Sequence, residues 1–186
     1  MALSKVDGTN FIAPTIPASA GGSGRTAVTG NVLQVVSATK TDTQSTSTTV
    51  FVDVSGLSLS ITPSSTSNKI FLVLNINIDG SERYMGVKFV RDSTDIGIGD
   101  TEGSRTRLTV SSMRNHSPTG DNYVMHNSSA SFLDTPNTTS ATTYKIQAGL
   151  HYGSAQTLYI NRPDYDDDAT YIARGISTLT AYEIAG

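Results

Sequence analysis

Apolar side chains recur at every second position along most of this chain. The longest run is Ile70–Asp79, where Ile70, Leu72, Leu74, Ile76 and Ile78 occupy one set of alternate positions. Phe71, Val73, Asn75, Asn77 and Asp79 occupy the other. A period of two with one wholly aliphatic side predicts a β-strand buried on that side. The second side starts apolar and turns polar, which predicts a strand passing from a covered region to an exposed one. No other stretch offers so long a dry face. It is therefore expected to be the central strand of an antiparallel sandwich.

The same alternation places the other elements. Val32–Ser37 reads as a strand, and Lys40–Thr49 as a polar connection. Val50, Val52 and Val54 alternate, then Leu57, Leu59 and Ile61 do so again after Ser55-Gly56. A glycine between two alternating runs predicts a turn, kink or bulge. Thr62–Asn68 is a turn cluster. Asp79-Gly80 is a turn dipeptide ahead of the strand Tyr84–Arg91, so 79–83 is expected to close a hairpin. Ile96–Asp100 fits a short strand or an extended loop, and Arg105–Ser112 alternates around Leu108 and Val110. Met113–Ser129 is long and polar, a length that marks functional or assembly loops. Ala130–Leu133 begins a further strand. Tyr144, Ile146, Ala148, Leu150 and Tyr152 alternate, Gly153–Gln156 turns, and Leu158 and Ile160 lie on a return strand. Asn161–Ala169 is an acidic loop, and Ile176, Thr178, Thr180, Tyr182 and Ile184 alternate along the final strand.

This makes eight to ten strands with turn signals between them and no window of helical period. The expected fold is all-β: an antiparallel β-sandwich or jelly roll over residues 31–186. Residues 1–30 differ. Phe11, Ile12 and Ile16 sit among Pro14 and Pro17, and Ala18–Gly24 is rich in glycine and serine. Prolines at such spacing exclude an interior helix or strand. The plain reading is a solvated tail. The sharper one is an extended arm whose Phe11, Ile12 and Ile16 anchor in a groove on a neighbouring subunit, since purely solvating tails rarely carry large apolar residues.

Composition narrows the partners. The chain has 186 residues and a net charge of −3, with only 16% of residues charged. Phosphate-backbone binding needs clustered Lys and Arg, so nucleic acid is not an expected partner. There is no cysteine, hence no disulfide or thiol chemistry. The start of the chain lacks the apolar core of a signal peptide, and no apolar run approaches the roughly 18–20 residues of a bilayer span. Synthesis and assembly in a cytoplasm is the expectation.

Candidate chemistry is sparse. Asp164, Asp166 and Asp168 alternate in the acidic loop and can offer hard oxygens to Ca²⁺. An EF-hand would need Gly at its sixth position and Glu at its twelfth, where this chain has Ala169 and Gly175. The plainer reading is a charged loop that blunts a sheet edge. The three histidines, His116, His126 and His151, lack metal-ligand spacing. His116 falls in the long polar loop and is a surface-contact candidate. Tyr123, Tyr165 and Tyr171, in or beside loops, can stack on sugar rings. Gly97-x-Gly99 is followed by no helix, so it is not a phosphate loop. No serine sits in a nucleophile elbow. No catalytic function and no cofactor are expected. The alternative is a module that binds or degrades surface carbohydrate.

Several phrases resemble small virion proteins of marine tailed bacteriophages, such as cyanophages. They are Gly30–Ala38 (GNVLQVVSA), Lys40–Gly56 (KTDTQSTSTTVFVDVSG), Leu59–Ile70 (LSITPSSTSNKI), Phe89–Gly97 (FVRDSTDIG), Ser131–Lys145 (SFLDTPNTTSATTYK) and Gly175–Gly186 (GISTLTAYEIAG). The last is also similar to the final strand of trimeric tumour-necrosis-factor-like jelly rolls. The resemblance implies a non-enzymatic, trimeric or otherwise oligomeric virion component, either a tail-fibre head or a capsid decoration protein. Its partners would be further copies of itself, other virion proteins and a host surface glycan, with no membrane insertion.

Overall fold

A computed structural model of the chain describes residues 29–80, 84–112, 123–153 and 156–186. Eleven strands and no helix occur among the described residues. They are β1 (Val32–Lys40), β2 (Gln44–Thr46), β3 (Val52–Ile61), β4 (Lys69–Gly80), β5 (Met85–Arg91) and β6 (Thr94–Ile96). They continue with β7 (Val110–Ser112), β8 (His126–Asp134), β9 (Thr142–Leu150), β10 (Leu158–Ile160) and β11 (Ser177–Ile184).

The strands form two antiparallel sheets. The first runs β1-β11-β4-β10-β2, and β8 lies along the other edge of β4. The second runs β3-β9-β5-β6, with β7 also on β5. The all-β sandwich of jelly-roll type is thus as expected from the alternation. β4 is central: β8 pairs it from Ile70 to Ile78, while β11 and then β10 share its opposite edge. Ile70, Leu72, Leu74, Ile76 and Ile78 are all 0% exposed. They pack with Leu57, Val87, Phe89, Tyr144, Ile146 and Leu179 in one core drawn from both sheets. Each fully buried aliphatic of this kind contributes about 1.5–3 kcal/mol relative to its exposed state.

Two expected hairpins are not hairpins. β4 and β5 lie in different sheets, and so do β9 and β10. The chain crosses the sandwich at both places. Gly80 therefore serves close packing at the end of β4: a Cβ there would come 2.2 Å from Met85 Sδ and 3.0 Å from Thr157 O. The break at Gly56 is a bulge in β3, where the register on β9 shifts between Asp53 and Ser58. Gly56 has φ +82°, and a Cβ added there would lie 3.6 Å from Lys40 Cβ. Gln44 caps the bulge, accepting from Ser55 N at 2.8 Å and donating to Asp53 O at 3.0 Å.

Other boundaries moved. The polar stretch Lys40–Thr49 contains β2, and Lys40 itself is buried, its Nζ reaching Asp42 Oδ1 at 2.9 Å. β8 begins at His126 rather than Ala130, so it takes in part of the stretch read as a long loop. Only Val110–Ser112 of Arg105–Ser112 is strand. In β11 the core face is Ser177, Leu179, Ala181 and Glu183, and the alternate set from Thr178 to Ile184 faces outward.

Two polar clamps fix one end of the sandwich. In the first, Asp134 of β8 accepts from Arg91 Nη1 at 2.8 Å and from Tyr144 Oη at 2.6 Å, tying the first sheet to the second. Burial, then the neighbouring Asp134 carboxylate, pushes the Tyr144 phenol well above its ordinary range. Nearby, Glu183 is 1% exposed and holds the 62–68 turn through Ser64 N (2.6 Å), Ser64 Oγ (2.8 Å) and Asn68 Nδ2, with Gln34 Nε2 at 2.8 Å. Burial alone would raise the Glu183 carboxyl; these donors outweigh it and bring it below the ordinary value.

Candidate functional site

Strand register gives the sandwich a direction. The chain enters where Gly30 N donates to Ala185 O at 2.8 Å and Val32 pairs with Ile184, which pairs with Lys69 at the start of β4. At the far end of β4, Asp79 Oδ2 accepts from Asp164 N at 2.7 Å. Twelve residues of strand separate these ends, on the order of 35–40 Å.

Asn161 organises the far end. It is 0% exposed, with φ +61°, and its Nδ2 donates to Lys40 O and Asp42 O, both at 2.9 Å. Its Oδ1 accepts from Ser177 Oγ at 2.6 Å, and its carbonyl accepts from Gly175 N at 3.2 Å. Both roots of the acidic loop are thereby pinned to one residue. Within the loop, Arg162 stacks 3.8 Å over the Tyr159 ring and approaches Asp166 at 3.5 Å. Arg174 also pairs with Asp166 and holds its carboxyl below the usual range.

Three tyrosines meet beside this root. Tyr123 meets Tyr165 edge-on at a 5.0 Å centroid distance and Tyr171 at 5.6 Å. Tyr165 donates to Asp167, which raises its phenol. Asp166, Asp167 and Asp168 line an adjoining hollow of about 360 Å³ with Ile172 and Arg174. Aromatic rims beside carboxylates suit polyhydroxylated ligands, whose C–H faces stack on the rings while hydroxyls donate to the acids. Among the described residues no three His, Asp or Glu side chains converge to hold a metal ion. Asp164, Asp166 and Asp168 follow one another along the loop, and Asp166 pairs with Arg162 and Arg174. Phe11, Ile12, Ile16 and His116 lie outside the described residues.

A second surface was not anticipated. Val35 of β1 pairs with Tyr182 of β11, Tyr182 with Phe71 of β4, and Phe71 with Leu133 of β8. These four side chains form one row across the outer face of the first sheet. Val35 is 53% and Leu133 46% exposed, and the Phe71 and Tyr182 rings lie 6.3 Å apart. Val73 and Ile184 flank the row, and Val32 and Leu33 extend it at the β1 edge.

No family model and no curated protein matches the chain. One solved structure that aligns is similar in part. It is the crystal structure of the infectious bursal disease virus VP2 subviral particle, with TM-score 0.37 and 13% identity. The alignment covers 82% of this chain and 37% of the other, so this chain spans little more than a third of that protein's length.

A third feature is a groove of about 740 Å³ between the 99–108 segment and Tyr84, His151 and Tyr152. Its walls come from separate parts of the chain. Leu108 drops onto Gly86 of β5, where a Cβ would come within 2.5 Å of it. Thr109 N donates to Val87 O at 3.1 Å, and Arg107 Nε to Gly99 O at 2.6 Å. The paired arginines in Arg105-x-Arg107 and the tyrosine just past β9 are the signals from which sequence reasoning had the means to find it.

Proposed function

We propose that this chain is a non-enzymatic structural protein of a tailed-bacteriophage virion. In this reading the sandwich self-associates, as a trimer, through the outer face of the first sheet. The segment before residue 29 attaches it to the particle, and the loops at the far end of β4 meet a partner such as a host surface glycan. The carrying observation is polarity: the chain enters at the Lys69–Ile184 end, and the tyrosine cluster lies at the Asp79–Asp164 end. Exposed apolar rows of this kind on soluble proteins commonly mark interfaces. The phrase-level resemblance to phage virion proteins supplies the setting. The same polarity serves a tail-fibre head or a capsid decoration protein, and copies per particle separate the two.

Deleting residues 1–24 tests the attachment. The shortened protein is expected to stay folded and oligomeric by circular dichroism and sedimentation, and to be missing from assembled particles. Normal incorporation of the shortened protein contradicts the reading.

A further inference from the structure

We propose that the groove between the 99–108 segment and Tyr84, His151 and Tyr152 binds an acidic saccharide, one whose ring carries a carboxylate or sulfate group. The hollow, at about 740 Å³, is of ligand-site size, since small-molecule sites run from roughly 300 to 1,000 Å³. One wall is aromatic. Tyr84 sits between His151, at 5.5 Å and 81°, and Tyr152, at 5.2 Å and 73°. His151 N donates to Tyr84 O at 2.8 Å, so the rings are tied through the backbone as well. Tyr84 has φ +69°, a left-handed conformation uncommon for a bulky residue and found preferentially where a site over-determines the backbone. Tyr152 is 69% exposed and so offers a platform on which a pyranose can stack.

The opposite wall supplies charge. Arg105 and Arg107 line the groove with Asp100, and Glu102 stands behind Arg105 outside the lining. Arg107 is oriented by its bond to Gly99 O, which engages only Nε of its five N–H donors. Arg105 is steadied by Glu102 O at 3.3 Å and Glu102 Oε1 at 3.5 Å. Guanidinium forks fit carboxylate and sulfate oxygens, and do so better than an ammonium would. Burial lowers the His151 imidazole, so at neutral pH it favours the uncharged form that exchanges hydrogen bonds with hydroxyls. Ser111 Oγ lies 3.5 Å from its Nε2. An aromatic platform, a neutral imidazole and two arginines on one groove match a sugar acid more closely than a neutral sugar. Nucleic acid would share the stacking and the anion, but a chain of net charge −3 lacks the wider basic surface it needs.

The site is read on the free protein, so its test does not depend on the virion assignment. Titration calorimetry of the full chain would use digalacturonate and a neocarrabiose sulfate as the two acid classes. Cellobiose, inorganic sulfate and an octamer of thymidylate serve as controls. Saturable binding of at least one acidic disaccharide is expected, stronger than any control and weakened by added salt. Tyr152→Ala and Arg105→Ala should each weaken it about tenfold, the scale of one charge-assisted hydrogen bond or stacked ring. Both side chains are exposed, so circular dichroism should be unchanged. The proposal is overturned if neither disaccharide binds, if a control binds as well, or if both variants bind like the parent.

Discussion

Across the outer face of the first sheet, facing residues run Val35, Tyr182, Phe71 and Leu133. Across the outer face of the second they run Asp53, Gln147 and Lys88. There Lys145 pairs with Asp53 at 2.7 Å, Gln147 donates to Asp53 at 2.8 Å, and Lys88 reaches Asp95 at 2.7 Å. The inward sides do not differ in this way, for both are largely apolar and share one core. Folding asks only that one side of each strand be dry, so the other side is free to record what the protein meets. The second sheet's outer side records water. The first sheet's side carries an apolar row that no element of this chain covers among the described residues, and in the proposed reading another copy of the chain covers it.

The largest single effect should come from unhooking the two sheets. Asp134→Ala removes the acceptor shared by Arg91 and Tyr144 and leaves a buried hydroxyl and a half-buried guanidinium without it. We expect a loss of about 3 kcal/mol in urea unfolding, against about 1 kcal/mol for Tyr144→Phe, which keeps the ion pair. Next comes the turn clamp. Glu183→Gln should cost about 2 kcal/mol at pH 7, the scale of hydrogen bonds to a charged group. Because the folded carboxyl lies below its ordinary 4.5, its contribution is complete above that value and fades as pH falls through the lower, folded one. The parent's stability should therefore drop towards the variant's in acid; a constant gap down to pH 2 contradicts the assignment. The smallest effect belongs to the wet face. Lys145→Ala should change stability by no more than about 0.5 kcal/mol and leave the sedimentation behaviour of the parent unchanged, as exposed ion pairs contribute little.

Much of the fold was legible because burial on one side writes a period of two. The five aliphatics from Ile70 to Ile78 named both a strand and its core face. What alternation cannot record is which sheet a strand joins. Asp79-Gly80 looks like a tight turn, yet the glycine makes room for Met85 while the chain crosses between layers. Lys40 reads as the start of a polar loop because its burial depends on a distant bulge at Gly56. Tyr123 and Tyr165 were recognisable singly as loop tyrosines. Their meeting with Tyr171 depends on the long-range pinning of the acidic loop by Asn161, which no local pattern encodes. The outward row was present in the letters Val35, Phe71, Leu133 and Tyr182, but only register aligns them.

Sedimentation of the full chain beside Phe71→Asp tests the contrast between the faces most directly. The parent is expected to run as a multiple of its 19.6 kDa mass, and the variant, with a carboxylate at the centre of the row, as the single chain with an unchanged circular dichroism spectrum. A parent that remains at 19.6 kDa at tens of micromolar, or a variant that associates as the parent does, would contradict the account.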